Sequence, residues 1–159
     1  FVGGAKDDVI EIESLLKMMG NKVMHIGGIG MGTSYKLLVN AMLAHSMIAF
    51  AEAVLLGEKL GVSRDLLLDT LPNIGVIAPF TKAKAEIIRE GSYEALFPLE
   101  LMHKDLHLAA LTAYEKEQPL YLANLAKELY ANAKQEGLGR KDFSAIFAFL
   151  DSVKSRSSV

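Results

Sequence analysis

Leu37 to Leu56 is a run of twenty positions made mainly of Leu, Ala, Val, Met and Ile. Few folds can accommodate it. Its length is what a bilayer span requires, but it also carries Asn40, His45, Ser46 and Glu52. A charge near the middle of a span costs about 2.5–3.5 kcal/mol even on lenient scales, and no second run of this kind follows. The run therefore predicts a helix buried on most sides, inside a protein or between two subunits.

The rest of the chain supports a helical body. "FVGG" reads as the end of a strand, and Asp7 or Asp8 is placed to start a helix. Ile10, Ile12, Leu15, Leu16 and Met19 recur at helical spacing until Gly20, and "KVMHIGG" reads as a short buried strand. Two strands joined by a helix form one parallel βαβ unit, which normally belongs to a larger sheet. After Gly32 only helices are expected, over 33–60, 63–71, 79–91, 98–117, 119–136 and 142–152. Their stops are marked by Gly57 and Gly61, Pro72 with Asn73, Gly91, Pro119, and Gly137 with Gly139. The expected class is mainly α, with one long central helix preceded by a βαβ remnant. Residues 1–29 would be the edge of another domain, 30–152 an all-helical domain, and 153–159 a polar tail.

Composition narrows the function. The chain has 159 residues, half of them hydrophobic, with a net charge of −2, enough for a core in one domain. That balance offers no basic footprint for nucleic acid and no polybasic patch for a membrane. The absence of cysteine removes disulfide and thiolate chemistry. No basic segment leading into a short apolar core is visible, and a cytoplasmic setting is expected.

The glycines of "GGIGMGTSYKLLVN" match no phosphate-binding loop. A G-x-G-x-x-G pattern begun at Gly28 meets Thr33, and one begun at Gly30 meets Tyr35; a P-loop begun at Gly27 meets Thr33 where lysine is required. The glycines are better explained by a sharp turn from a strand into a closely packed helix capped by Thr33 or Ser34. Lys36 and Asn40, four apart, share one helix face, which continues through the apolar Leu43, Met47 and Ala51. A lysine so placed either snorkels to water or sits partly desolvated and exchanges protons with a substrate hydroxyl. Asn40 can both donate and accept towards such a substrate.

In "FPLELMHKDLHLAAL", helical spacing places Glu100, His103, His107 and Tyr114 on a polar face. Asp105 falls opposite them, among Leu101, Leu108 and Ala109, with Lys104 at the edge. A core-facing carboxylate needs a partner. His103 and His107 have metal-ligand spacing but only Glu100 as a third candidate, and no metal is expected. His25 and His45 have no constellation and are expected to pack.

These residues resemble the β-hydroxyacid dehydrogenases, a family that includes 3-hydroxyisobutyrate dehydrogenase, tartronate semialdehyde reductase and the glyoxylate/succinic semialdehyde reductases. Gly27, Gly30, Gly32, Lys36 and Asn40 stand in register with the family's G-x-x-G-x-G-x-x-x-K-x-x-x-N pattern. Phe97 lies eight residues before the aspartate of Lys104-Asp105-Leu106, again as in the family. The resemblance implies Lys36 as general acid/base, Asn40, Phe97 and Asp105 at the substrate, and Gly30, Gly32 and Lys104 towards NAD or NADP. It implies a small hydroxy acid or its semialdehyde as substrate, and a homodimer or higher homo-oligomer. The family's G-x-G-x-x-G and serine-containing loops would precede Phe1. The chain is thus expected to be a C-terminal half, inactive alone, with a remnant of a Rossmann domain at its start. The rival expectations are a helical dimerisation or scaffold module without chemistry, and a metal or small-ligand module on Glu100, His103 and His107.

Overall fold

The computed structural model describes residues 1–156, with side chains described through Ser152. Two compact units are present, the first Phe1–Asn40 and the second from Ala41 onward. The first holds β1 (Val2–Gly3), α1 (Lys6–Glu11), α2 (Glu13–Lys17) and β2 (His25–Gly27), and it contains the start of α3 (Met31–Lys59). The second holds the remainder of α3, then α4 (Arg64–Thr70), α5 (Thr81–Glu90), α6 (Leu99–Glu115), α7 (Tyr121–Ala133) and α8 (Ile146–Arg156). The class is mainly helical, as expected. Of the expected tail 153–159, residues 153–156 continue α8, and 157–159 lie outside the described residues.

In the first unit β1 and β2 pair in parallel, Val2 with His25 and Gly3 with Gly27. The Val2 N–H donates to the Met24 carbonyl and the Gly4 N–H to that of Gly27, both at 2.8 Å. Expectation and structure differ here in two ways. β2 is half-buried at most, with His25 exposed, and the connecting helix is broken at Ile12 into α1 and α2. Of its apolar positions only Val9 is buried, while Ile10, Ile12, Leu15 and Met19 are exposed. A periodic apolar face with nothing packed on it is a face made to be covered.

The glycine corner is a matter of close approach. A Cβ on Gly32 would lie 2.9–3.1 Å from backbone atoms of Gly3, Val2 and Phe1, and one on Gly3 would lie 2.5 Å from the Gly28 carbonyl oxygen. Gly30 has φ +86°, in the left-handed region. α3 begins at Met31, so Thr33 and Ser34 lie within its first turn rather than capping it. The Ser34 hydroxyl instead donates back to the Gly30 carbonyl at 3.2 Å.

The second unit has one core. Ala44, Met47, Phe50, Ala51 and Val54 of α3 lie in it with Leu67 and Leu68 of α4, Ala85 and Ile88 of α5, and Leu99, Met102 and Leu106 of α6. α6 and α7 pack most extensively, because Ala123, Ala126 and Ala133 present small side chains to the interior. Only one face of α3 is core: 33% of its most apolar window is buried, while Leu38, Met42 and Leu56 are exposed. The expected burial on most sides is not supplied by the described residues, and length and composition alone would let the helix cross a bilayer. Gly57 does not stop it. That residue is inside the helix and buried because a Cβ there would lie 2.7 Å from a methyl of Leu67. Gly91 does end α5, at φ +66°.

Candidate functional site

Lys36 and Asn40 lie on α3 in the first unit, and Phe97, Lys104 and Asp105 lie in the second. Asn40 is buried, at the head of the stripe that continues through the fully buried Met47 and Ala51. Lys36 is exposed. The burial expected around its ammonium is therefore not supplied by the described residues. Of the two glycines expected near the cofactor, Gly32 is accounted for by its contact with β1, whereas no atom comes within 4 Å of a Cβ on Gly30.

α6 has Pro98 at its N-cap, so no side chain caps it. Its leading N–H groups are satisfied from another segment: Leu99 donates to the Lys141 carbonyl at 2.8 Å and Glu100 to that of Gly139 at 3.0 Å. The buried face of the helix is Leu99, Met102, Asp105, Leu106 and Ala109. Asp105 is only 3% exposed, as its wheel position requires, and Lys104 is its partner, with Nζ 2.7 Å from Oδ1. Leu101 and Leu108, expected beside it in the core, are exposed instead. The inward direction runs through Met102 and Leu106, so the apolar arc is wider than the core uses. The Lys104 ammonium is half-exposed and faces water on its outer side.

Phe97 is half-buried and held closely. Its N–H donates to Asp142 Oδ2 at 3.1 Å, its carbonyl accepts from the Phe143 N–H at 2.9 Å, and its ring meets that of Phe143 edge-on at 6.1 Å. Asp142 was not singled out from sequence, nor was Lys84. Yet they form the most buried charged group of the unit, 0% and 6% exposed, with Lys84 Nζ 2.9 and 3.0 Å from the two carboxylate oxygens. Burial alone pushes the Asp142 carboxyl up; the Ser144 hydroxyl, the Lys84 ammonium and the backbone N–H groups of Ser144 and Phe97 together hold it below the usual carboxylate range. Two signals were available. Asp-Phe-Ser just before an apolar run is a capping pattern, and Lys84 falls on the buried Thr81–Ala85–Ile88 stripe of α5.

Among the described residues no group of three or more His, Cys, Asp or Glu side chains is placed to hold an ion. Glu100 is paired with Arg140 at 3.4 Å, and burial, helped by nearby Lys134, lowers the His103 pKa. His25 sits 2.8 Å from the Gly4 carbonyl. His45 Nε2 and the Tyr130 hydroxyl are buried with no hydrogen-bond partner among the described residues. Burial lowers the His45 pKa and raises that of Tyr130. A concavity of about 350 Å³ at the α6–α7 turn, lined by Ala110, Tyr114, Pro119 and Asn124, contains none of the expected site residues.

Three comparisons bear on this geometry. Residues 30–150 match a family model described as NAD-binding of NADP-dependent 3-hydroxyisobutyrate dehydrogenase. The chain is 34% identical to glyoxylate/succinic semialdehyde reductase 2, chloroplastic, of Arabidopsis thaliana, over 90% of its own length and 40% of that protein's. It is also 34% identical to human mitochondrial 3-hydroxyisobutyrate dehydrogenase, over 94% of its own length and 46% of that protein's. Among solved structures, 3-hydroxyisobutyrate dehydrogenase of Mycobacterium tuberculosis with L-serine is similar, with TM-score 0.78, 29% identity and coverage of 93% and 53%. The Salmonella typhimurium 3-hydroxyisobutyrate dehydrogenase shares the fold, with TM-score 0.83, 24% identity and coverage of 92% and 52%. The chain thus spans about half the length of the relatives it matches or less. With its helical body matched almost from end to end, the chain belongs to the 3-hydroxyisobutyrate dehydrogenase family.

Proposed function

We propose that this chain is the helical C-terminal half of an NAD(P)-dependent dehydrogenase that interconverts a small hydroxy acid and its semialdehyde, with Lys36 as general acid/base. The observation that carries the reading is the double register, Gly27–Gly30–Gly32–Lys36–Asn40 and Phe97–Lys104–Asp105, inside a chain whose family is that of 3-hydroxyisobutyrate dehydrogenase. The names of its relatives, semialdehyde reductases and hydroxyisobutyrate dehydrogenases, support the substrate class. Residues of this chain suit a dinucleotide. The corner at Gly30 leaves its surroundings open, and the Lys104 ammonium keeps an outward side while anchored to Asp105.

A nicotinamide cofactor, when bound, would supply or accept the hydride at the substrate carbon. Lys36 gives its Nζ proton to the carbonyl oxygen on reduction and takes the hydroxyl proton back on oxidation. Asn40, buried and on the same helix face, orients the oxygen that Lys36 serves. Phe97 shields the substrate from water, and Asp105 orients it while anchoring Lys104. Residues 1–29 belong, in this reading, to the edge of a Rossmann domain. The exposed α1–α2 face is what such an edge requires. A cytoplasmic setting belongs to the same proposal. A homodimer or higher homo-oligomer is also part of it, motivated by the exposed Leu38, Met42 and Leu56 along α3 and Leu60 just past its end.

The test is turnover of reduced cofactor with short semialdehydes by a full-length protein carrying this chain. Replacing Lys36 by Ala should lower kcat by about 10²–10⁴-fold with folding intact, the range for a positioned acid/base. Activity retained within a few-fold would instead favour a scaffold without chemistry. The isolated chain should show no turnover.

A further inference from the structure

Asp142 belongs to no expected site, yet four hydrogen bonds and an ammonium converge on its carboxylate. Its two oxygens divide the labour. Oδ1 accepts from the Ser144 N–H at 3.0 Å and the Ser144 hydroxyl at 2.6 Å, fixing the turn that leads into α8. Oδ2 accepts from two consecutive N–H groups of a distant segment, Leu96 and Phe97, both at 3.1 Å. Lys84 bridges both oxygens from α5 and lies 4.6 Å above the Phe143 ring.

Two consecutive N–H groups aimed at one oxygen fix the peptide plane between them, and with it the direction in which Phe97 leaves the backbone. Pro98 restricts residue 97 to extended geometry from the other side. The backbone of Asp142 donates to the Tyr93 carbonyl at 3.0 Å, and Phe143 holds the Phe97 carbonyl and ring. Phe97 is thereby held at its N–H, its C=O and its ring by one dipeptide, Asp142–Phe143. The same stretch, through the Lys141 and Gly139 carbonyls, receives the first N–H groups of α6, the helix that carries Lys104 and Asp105. A structural tie needs none of this concentration at a single residue. An apolar contact would bury as well, and a buried ion pair often stabilises no more than well-packed hydrophobic residues of similar volume. What the carboxylate adds is direction.

We propose that Asp142, held by Lys84 and Ser144, is the positioning residue for Phe97 and for the start of α6, and so sets the affinity for the acid substrate without touching it. This rests on the proposed dehydrogenase reading for its functional half. The structural half is read in the 159-residue chain itself, by amide exchange across residues 93–98 in Asp142→Asn and in the milder Ser144→Ala. Exchange at Leu96 and Phe97 should accelerate about tenfold or more, the scale of a lost charge-assisted hydrogen bond, while α7 keeps its protection. Unchanged exchange at these two amides overturns the proposal. If Asp142→Asn does not fold, Ser144→Ala decides.

The functional half is read in the full-length protein. Both variants should raise KM for the hydroxy acid, about tenfold for Asp142→Asn, leaving KM for the cofactor and the pH profile of kcat in place. A uniform fall in active protein, with KM unmoved, would mean a purely structural role and overturn the proposal. Absence of turnover in the unsubstituted full-length protein would instead defeat the dehydrogenase reading, and the exchange result would still decide the positioning of residues 96–97.

Discussion

Replacing Lys84 by Met, beside a parallel replacement of Asp142 by Ala, measures the two sides of one buried ion pair. The sides are not equivalent. Removing the lysine leaves the Asp142 carboxylate with the Ser144 N–H, the Ser144 hydroxyl and the Leu96 and Phe97 N–H groups still pointing at it. Removing the carboxylate strands all four donors and leaves the buried Lys84 with its ammonium over the Phe143 ring and no carboxylate to pair with. Breaking a buried pair costs about 3–5 kcal/mol, so Lys84→Met should lose about 3 kcal/mol. Each stranded donor adds about 1–3 kcal/mol less whatever water recovers, which puts Asp142→Ala above about 5 kcal/mol, at the edge of what a domain can lose. Urea unfolding followed by far-ultraviolet circular dichroism gives both numbers. In a chain of this size Lys84→Met should lower Tm by about 6–12 °C. Because the folded carboxyl lies below its unfolded value of about 3.9, its contribution is complete above that pH and is lost as the pH falls through the folded value. A cost under about 1 kcal/mol for either variant, or a larger cost for the lysine than for the aspartate, would refute the asymmetry argument.

Tyr130→Phe should be neutral or stabilise by about 1 kcal/mol, because it removes a fully buried hydroxyl that none of the described residues satisfies; a loss of Tm would show that the hydroxyl has a partner. His45 is held neutral by burial, its folded pKa below the unfolded value of about 6.5. Its contribution should therefore be present above that pH and fade as the pH falls through the folded value, and comparison of urea midpoints for the parent and His45→Gln along that range isolates it. Gly32→Ala should cost about 1–3 kcal/mol by forcing a Cβ against the backbone of β1. Gly28→Ala, with nothing near its Cβ, should leave amide protection at Val2 and Gly4 unchanged.

Much of the helical body was legible because its signals are local. Gly91 needs a left-handed backbone, Pro98 marks where α6 starts, and the turn signal at Gly61 ends α3 within two residues of Lys59. Asp105 was placed inward by a wheel count and is inward. The failures have a common cause. Gly57 reads as a stop, but it is glycine because Leu67 of another helix occupies the space. Leu101 and Leu108 read as core, but the neighbours of α6 approach from the Met102–Leu106 side. The Lys84–Asp142 pair joins residues 58 apart in the chain. No window of sequence contains both, and the local signal at each, a capping pattern and a place on an apolar stripe, does not say that they meet. The site was legible as types at spacings; the device that orients Phe97 was not, because it exists only once α5 and the 142–144 turn have met.

The corner glycines, divided by what the structure demands at each, separate fold from chemistry in the very motif that suggested a function. Gly32 is required by backbone contact and Gly30 by a φ of +86°, so any chain folding this way would have them, enzyme or not. Asn40 and Lys36 are different. A core stripe running through Met47 and Ala51 would accept an apolar residue at the buried position 40, and helix geometry asks for no particular side chain at the exposed position 36. An amide placed inside an apolar stripe costs stability unless its hydrogen bonds are met. Of the motif's five positions, then, 36 and 40 are the two on which the proposed dehydrogenase reading rests. Lys36→Ala is the sharper test, because position 36 is exposed: with folding checked beside it by circular dichroism, a lost activity would report on chemistry.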